Sequence, residues 1–234
     1  MDVDTLHDGT VHVVAGALIG ADDRVLIAER PMGRHLAGGW EFPGGKLDPG
    51  EDREAGLCRE LREELGIAVL GCRPLIRLRH DYSDRKVLLD VWLVERFSGE
   101  PASLDGQALR WCERDALPDA DLLPADRPVV TALRLPAAIR SVYGPHYKLR
   151  AFRHWHSRPG DAGMLLGASC DSAAEALAAD AAGADFIAFA KLLPAQDLSD
   201  CCARIGRPVY VCGVASPAAW ALGAAGIIDL AAPA

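Results

Sequence analysis

The feature that most restricts the fold of this chain is a helix-forming segment that follows a glycine-rich loop. The residues Asp48-Pro49-Gly50-Glu51 predict the start of a helix, and residues 52–65 contain no Gly or Pro except Gly56. Gly66 follows immediately and is typical of a helix C-cap. An apolar stripe at i, i+4 and i+8 would anchor this helix on a core, and it consists of Leu57, Leu61 and Leu65.

The same helix carries three glutamates on one face. At about 100° per residue, Glu60, Glu63 and Glu64 fall within about a third of the helix circumference. Like charges this close repel each other unless a cation lies among them, and oxygen-only ligands favour Mg²⁺ or Mn²⁺ over zinc. The alternative interpretation is a solvated helix face on which Glu and Arg form i,i+4 pairs.

Composition limits the partners of the protein. Lys and Arg number 25 and Asp and Glu number 33, so the formal net charge is −8. This surplus of acid argues against a protein that holds a nucleic-acid polymer by its phosphates. It leaves open a mononucleotide, because a divalent cation can neutralise the phosphate charge. The seven cysteines include no C-x-x-C pair, which favours reduced thiols in the cytoplasm over a disulfide framework or a zinc cluster.

Neither end of the sequence predicts a membrane or secretion signal. The first ten residues contain three Asp and no apolar run, so they do not resemble a signal peptide. Residues 209–228 carry no charge, but three glycines and a proline interrupt them. We interpret this stretch as a strand, a turn, a short helix and another strand rather than as a membrane span.

The first part of the chain predicts a compact unit with several strands. Residues 11–19 and 25–28 are apolar and flank a polar turn, which is typical of a β-hairpin. Further strands are predicted at 75–80, 86–95 and 108–113. Four prolines between residues 118 and 136 end this unit, which we place at residues 8–135.

The rest of the chain predicts a second, smaller domain. Residues 136–161 are basic and rich in His and aromatic side chains without a clear period, and we interpret them as a connector. In residues 162–234, Ala-rich helical runs alternate with short apolar runs at 164–168, 185–190 and 209–212. This alternation indicates βα units on a parallel sheet.

The spacing of the carboxylate helix is similar to the Nudix box at every fixed position. The pattern is Gly45, five residues, Glu51, seven residues, then Arg59-Glu-Leu-x-Glu-Glu-x-Gly66 and an aliphatic residue. Residues 40–45 (WEFPGG), 91–96 (VWLVER) and 123–128 (LPADRP) also resemble the MutT type, the 8-oxo-dGTP diphosphatases. The resemblance extends over about residues 11–135. It implies an α/β/α sandwich with a mixed β-sheet, and Mg²⁺-dependent hydrolysis of a nucleoside triphosphate to the monophosphate and pyrophosphate.

The resemblance also implies which residues perform the chemistry. The implied metal site, with Mg²⁺ or Mn²⁺ as cofactor, comprises Glu60, Glu63, Glu64, the backbone carbonyl of Gly44 and, in a supporting position, Glu51. Arg59 stands where an arginine orients the carboxylates of the box. Asp105 stands where MutT-type enzymes carry a loop glutamate near the metals, and the shorter Asp reaches the metals less directly.

Substrate-binding positions follow from the same resemblance. Arg30 and His35 match positions near the phosphates and sugar, Arg85 matches a position near the base or ribose, and Glu41 and Phe42 match the purine pocket. The alternatives are solvated loop residues and, for Phe42, an ordinary core residue. Asp126 departs from the family, which places Asn there. An ionised Asp only accepts hydrogen bonds, whereas Asn donates one and accepts another.

The C-terminal segment resembles the second half of thiamin phosphate synthase and its TenI relatives. The similar stretches are residues 167–171, 182–187, 208–213 and 223–227. That family uses an eight-stranded barrel of about 200 residues or more. The resemblance therefore implies part of a TIM barrel without a complete active site. Open sheet edges and apolar faces on such a fragment would favour a homodimer.

These observations lead to one leading function and two alternatives. The leading hypothesis is an enzyme that removes 8-oxo-dGTP from the nucleotide pool and so prevents mutation. A second hypothesis keeps the chemistry but moves it to another pyrophosphate, such as a thiamin-related diphosphate. A third is a catalytically silent Nudix protein with a binding role.

Overall fold

A computed structural model of the chain describes residues 9–33, 36–155 and 163–230. Contacts divide these residues into two compact units. The first contains the described residues up to 74 together with 80–130, and the second contains 75–79 together with the described residues from 131 onward.

Two small sheets and one long helix form the first unit. In chain order its elements are β1 (Val11–Leu18), β2 (Val25–Glu29), β3 (Trp40–Glu41), β4 (Gly44–Lys46), α1 (Arg53–Leu65), β5 (Ala68–Asp81), β6 (Lys86–Ser98) and β7 (Leu109–Cys112). One sheet has the order β4-β1-β6-β5 and is mixed, because β1 is antiparallel to β4 and parallel to β6. The other has the order β3-β2-β7 and is antiparallel.

The predicted hairpin of residues 11–19 and 25–28 is wrong, except where the two strands meet at the turn. The two strands share only a bridge between Ile19 and Val25. Strand β1 lies between β4 and β6, whereas β2 lies between β3 and β7. Because more distant segments occupy both edges of each strand, the local pairing cannot extend.

Helix α1 forms as the sequence predicts. The Asp52 side chain accepts hydrogen bonds from the backbone N–H groups of Glu54 and Ala55, and Gly66 ends the helix in the left-handed conformation with φ 70°. The leucine stripe is fully buried and packs with side chains of the mixed sheet, namely Val14, Leu18, Trp92 and Val94. This packing holds the helix on a rigid sheet, so its polar face has a defined position.

The second unit is built on a sheet of six parallel strands. Helix α2 (Arg127–Arg134) leads into its elements, which are β8 (Ala138–Ile139), β9 (Tyr147–Ala151), β10 (Leu165–Cys170), α3 (Ala173–Ala181), β11 (Phe186–Phe189), α4 (Ala195–Arg204), β12 (Val209–Val211), α5 (Ser216–Ala221) and β13 (Gly226–Ile228). The strand order is β8-β13-β12-β11-β10-β9. Every pair of neighbours in this order is parallel, as the alternation of strands and helices predicts.

The segment that we interpreted as a connector contributes two of these strands. Both β8 and β9 lie within residues 136–161, and they form the two ends of the six-stranded sheet. Residues 142–144 turn back antiparallel onto β9, with hydrogen bonds from Leu149 N to Val142 O (2.7 Å) and from Gly144 N to Tyr147 O (2.9 Å). These bonds cover part of an end strand that we predicted to be open.

Residues 209–228 form β12, α5 and β13, as the interrupted apolar pattern predicts. Within the described part of the chain, no helix has the length and apolar character needed to cross a membrane.

Candidate active site

A cavity of about 460 Å³ opens in the first unit, and two chemically different groups of residues line it, which we call its acidic end and its apolar end. The acidic end comprises Glu60, Glu63 and Glu64 of α1, the glycines of β4, and Asp105. The apolar end comprises mainly apolar and aromatic side chains, among them Val13, Phe42, Tyr82, Leu89 and Leu123, together with Asp126. Such a cavity can hold a ligand with a charged part and a flat, mostly apolar part.

At the acidic end, Arg59 holds three glutamates in place. Its Nε and Nη2 atoms donate to the two carboxylate oxygens of Glu51, each at 2.9 Å. Its Nη1 atom donates to Glu60 Oε1 at 2.9 Å and to Glu63 Oε2 at 3.3 Å. The hydrogen bonds from Arg59 lower the pKa of Glu51 to about 2, and those contacts raise the pKa of Arg59 itself. This bidentate geometry fixes the carboxylates more firmly than a single contact would.

Two glutamates also lie against the glycine loop at residues 44–45. Glu64 Oε2 accepts a hydrogen bond from Gly44 N at 3.1 Å. The carboxylate of Glu60 lies so close to the loop that a Cβ atom at Gly45 would be 2.3 Å from Glu60 Oε2. Only glycine therefore leaves room for the observed position of Glu60.

Burial and mutual repulsion disfavour the charged forms of these glutamates. The pKa of Glu64 rises to about 7, chiefly because the group is buried and also because Glu60, Glu41 and Asp105 carry like charges nearby. Burial likewise raises the pKa of Glu60. A cation at this end of the cavity would remove the repulsion and favour the ionised forms.

The donor set fits a hard divalent cation. Carboxylate and carbonyl oxygens are the ligands that Mg²⁺ and Mn²⁺ prefer. Among the described residues, however, no three side chains are already arranged as metal ligands. Arg59 holds Glu60 and Glu63, and the N–H of Gly44 holds Glu64, so these contacts would have to rearrange when a cation binds.

At the apolar end, Asp126 is only 4% exposed and lies in the short 3-10 turn formed by Pro124–Asp126. Its carboxyl group accepts a hydrogen bond from the backbone N–H of Phe42. Burial raises the pKa of Asp126 well above its ordinary value, and the negative charge of Glu41 raises it further. Glu41 in turn forms an ion pair with Arg30. The environment therefore favours a neutral carboxyl group at this position.

Comparison with known proteins identifies the family to which these elements belong. The family model described as the NUDIX domain matches residues 14–132, which is half of the 234-residue chain. The chain belongs to the Nudix family.

Individual relatives cover the same part of the Nudix protein. It is 35% identical over 124 residues to an 8-oxo-dGTP diphosphatase of Escherichia coli, an alignment that covers 53% of this chain and 96% of the relative. It is 38% identical over 127 residues to a CTP pyrophosphohydrolase of the same organism, covering 54% of this chain and 94% of the relative. The solution structure of the E. coli ORF135 protein is 36% identical, with a TM-score of 0.50, and covers 55% of this chain and 92% of that one. The protein is a Nudix hydrolase, and Nudix hydrolases use divalent metal ions.

Most site residues suggested by the Nudix resemblance line the single cavity described above. They are Arg30, Glu41, Phe42, Gly44, Glu60, Glu63, Glu64, Arg85, Asp105 and Asp126. Glu51 and Arg59 do not line it; Arg59 donates hydrogen bonds to Glu60 and Glu63, and Glu51 accepts from Arg59. Arg85 pairs with Asp84 at 2.7 Å at the cavity wall. His35 lies outside the described residues.

Two cavity residues of the Nudix hydrolase were not singled out from the sequence. Tyr82 follows β5 and lines the apolar end, in the short segment between the strands predicted at 75–80 and 86–95. Gln107 is buried, and its Oε1 atom accepts hydrogen bonds from Ser103 Oγ at 3.0 Å and from Asp105 N at 3.2 Å. Gln107 thereby fixes the loop that carries Asp105. In the sequence, the position of Gln107 two residues after Asp105 was the signal that could have pointed to this role.

Proposed function

We propose that this Nudix hydrolase cleaves 8-oxo-dGTP to the monophosphate and pyrophosphate with Mg²⁺, and that it thereby clears oxidised purine nucleotides from the cytoplasmic pool. The observation that carries the proposal is the single cavity that joins a glutamate cluster to the buried pair of Asp126 and the Phe42 backbone. A relative that matches over 96% of its length bears the name 8-oxo-dGTP diphosphatase. The cavity size also suits one nucleotide.

The residues at the acidic end have defined roles in this proposal. Glu60, Glu63 and Glu64, with the carbonyl of Gly44, hold the divalent cation, which when bound neutralises phosphate oxygens and lowers the pKa of the attacking water. Arg59 orients Glu60 and Glu63 through its Nη1 atom. Arg30 also lines the cavity, where it pairs with Glu41, and it supplies positive charge to a bound nucleotide. Asp105, held by Gln107, faces the same space and accepts a proton through water.

A neutral Asp126 can form the same kinds of hydrogen bond as the Asn that the family places at this position. A carboxylic acid offers one O–H donor and one carbonyl acceptor, as the amide of Asn does. Oxidation at position 8 of guanine places a hydrogen on N7. A neutral Asp126 accepts from this N7–H and donates to O6 of the same base. An undamaged guanine has an acceptor at N7, so two lone pairs face each other there instead of a hydrogen bond to the Asp126 carbonyl, which lowers its transition-state stabilisation.

A second candidate substrate is CTP, because a relative that matches over 94% of its length bears the name CTP pyrophosphohydrolase. A pyrimidine has no N7–H and fills less of the apolar end than a purine does. The neutral carboxyl group would then accept from the amino group of the base and donate to its ring N3.

A substrate panel with Mg²⁺ separates these candidates. We would measure kcat/KM for 8-oxo-dGTP, dGTP, 8-oxo-GTP, CTP and thiamin diphosphate, and identify the phosphate products. The proposal predicts a preference of about 10²-fold or more for the 8-oxo nucleotides over dGTP, with pyrophosphate released. Equal rates for 8-oxo-dGTP and dGTP, or a preference for CTP, would contradict it. Preference for thiamin diphosphate would instead support the alternative hypothesis, hydrolysis of a thiamin-related diphosphate.

We also propose that the second unit is related to part of a βα barrel, performs no catalysis and mediates a homodimer. Its support is the six-stranded parallel sheet with exposed apolar side chains on the same unit, including Tyr143 and Leu192. Light scattering at micromolar concentration tests it. A sharp monomer peak would contradict the dimer.

A further inference from the structure

The first unit contains a buried carboxylate that lies outside the cavity. Asp90 of β6 is 1% exposed, and its Oδ2 atom accepts a hydrogen bond from Arg53 Nη1 at 2.7 Å. The Nε2 atom of His12 on β1 lies 3.7 Å from the same oxygen. None of these three residues lines the cavity. Because a buried charge costs free energy even when it is paired, this arrangement calls for an explanation other than simple stability.

The position of helix α1 must be set closely for the acidic end of the cavity to form. Glu64 reaches Gly44 N at 3.1 Å, and Glu60 lies against Gly45 where not even a Cβ atom would fit. A shift of α1 by one residue would move these side chains by about 1.5 Å along the axis and by about 100° around it. Either change would separate both glutamates from the loop.

Apolar packing alone does not define that position. Leu57, Leu61 and Leu65 are identical side chains four residues apart, so the stripe matches itself after a slide of one turn. Burial of such side chains is non-directional. A charge-assisted hydrogen bond is directional and has one optimal geometry.

We propose that Asp90 is a positioning residue that fixes the register and rotation of α1 through Arg53, so that Glu60 and Glu64 meet the glycine loop in a geometry that can bind the divalent cation. Arg53 is the first residue of α1, and Asp90 belongs to β6, an inner strand of the mixed sheet. The ion pair therefore fixes one end of the helix, while the glutamates contact β4 from its last two turns. The inference rests on the proposed metal-dependent function.

The surroundings of Asp90 restrict the pair to this one arrangement. The imidazole of His12 covers the carboxylate from β1, and the guanidinium of Arg53 lies 5.8 Å from the centroid of the Trp92 ring. The carbonyl of His12 also accepts a hydrogen bond from Leu47 N at 3.1 Å, in the loop that precedes α1. The same few residues thus hold both the start of the helix and the loop before it.

The test compares Asp90→Asn, Arg53→Gln and the double variant with the wild-type chain. Asp23→Asn serves as a matched control, because it removes the 2.6 Å ion pair between Asp23 and Arg114 away from α1. For each protein we would measure Mn²⁺ affinity without substrate by electron paramagnetic resonance, kcat and KM with 8-oxo-dGTP, and the thermal midpoint. We expect each single variant to lose about 10- to 100-fold in Mn²⁺ affinity or kcat, with KM within about twofold. The double variant should be no worse than the poorer single variant, and the control should match wild type.

Other results would overturn the proposal. Lower thermal midpoints with unchanged Mn²⁺ affinity and kcat would show that the pair only stabilises the fold, and additive losses would show that the two residues act separately. If Asp90→Asn does not fold, Arg53→Gln decides the question alone, since Arg53 is partly exposed. If wild type binds Mn²⁺ but does not hydrolyse 8-oxo-dGTP, the proposed substrate fails, while the Mn²⁺ affinities still test the positioning role.

Discussion

The two ends of the cavity use the same functional group in different settings. Beside the acidic end, hydrogen bonds from Arg59 keep the pKa of Glu51 at about 2, whereas within that end burial raises the pKa of Glu64 to about 7, and a cation would favour its charged form. At the apolar end, Asp126 has a backbone N–H as its partner and Glu41 as a charged neighbour, and burial keeps its pKa well above the ordinary value. The comparison shows that the partners and the burial of a carboxyl group, rather than its presence, decide whether it serves as a charge or as a neutral hydrogen-bonding group.

The largest expected effect is at the acidic end, where charge is required. Glu64→Gln keeps the size of the side chain and removes its charge, so we expect kcat with Mg²⁺ to fall by about 10³-fold. Far-UV circular dichroism should stay unchanged, because the amide oxygen can still accept from Gly44 N. Glu100→Gln, at an exposed position on the same unit, is the control and should keep full activity. A Glu64→Gln enzyme within tenfold of wild type would show that the charge at this position is not needed.

A smaller effect is expected when residue 59 keeps its positive charge but loses the geometry of its hydrogen bonds to the glutamates. Arg59→Lys retains one positive charge and cannot form the bidentate contact with Glu51. We expect Mg²⁺-dependent kcat to fall by about 10- to 100-fold, with the Mg²⁺ concentration for half-maximal rate raised. Arg24→Lys changes an arginine that pairs with the neighbouring Asp22 on the surface, and it should have no effect. Equal activity of Arg59→Lys and wild type would reduce the role of Arg59 to charge alone.

The acidic end was largely predictable from the sequence, because its helix depends on local signals. Asp52 and Gly66 cap α1 where the sequence places its ends, and the leucine stripe is buried as expected. The contact of Glu60 with Gly45 joins residues fifteen positions apart and was not predicted, since the family resemblance implied only a metal site shared by Glu60 and the carbonyl of Gly44. Local signals alone define a helix and its faces, but not the loop that one face meets.

The apolar end was predictable only in part. Phe42 and Asp126 come from distant segments, and no local pattern shows that a turn containing Pro124 buries the Asp126 carboxyl group. Tyr82 was missed for the same reason, since its neighbours Asp81, Ser83 and Asp84 predict only a turn. The predicted hairpin failed similarly, because long-range partners of β1 and β2 replaced a plausible local pairing. Local sequence describes the backbone well, whereas burial of a single polar group depends on what the rest of the chain places around it.

The smallest expected effect concerns Asp126 at the apolar end and the dependence of protein stability on pH. Because the folded state raises the pKa of Asp126 above 3.8, the folded protein binds more protons than the unfolded chain between that pH and the folded-state pKa. Stability conferred by this residue is therefore complete at acid pH and decreases as pH rises through the folded-state pKa. Asp126→Asn removes the titration and keeps an acceptor for Phe42 N–H, so it should raise the free energy of unfolding at pH 8 by about 1 kcal/mol or more and change it little at pH 4.

Urea denaturation of both proteins at pH 4 and pH 8 measures this difference, and Asp119→Asn, at an exposed position, controls for loss of one surface charge. Parallel stability profiles for Asp126→Asn and wild type would mean that the Asp126 carboxyl group ionises as easily in the folded as in the unfolded state. The two ends of the cavity would then both carry charge. In that case an ionised Asp126 could accept from N7–H but could not donate to O6, and discrimination between 8-oxo-dGTP and dGTP would have to rest on one hydrogen bond instead of two.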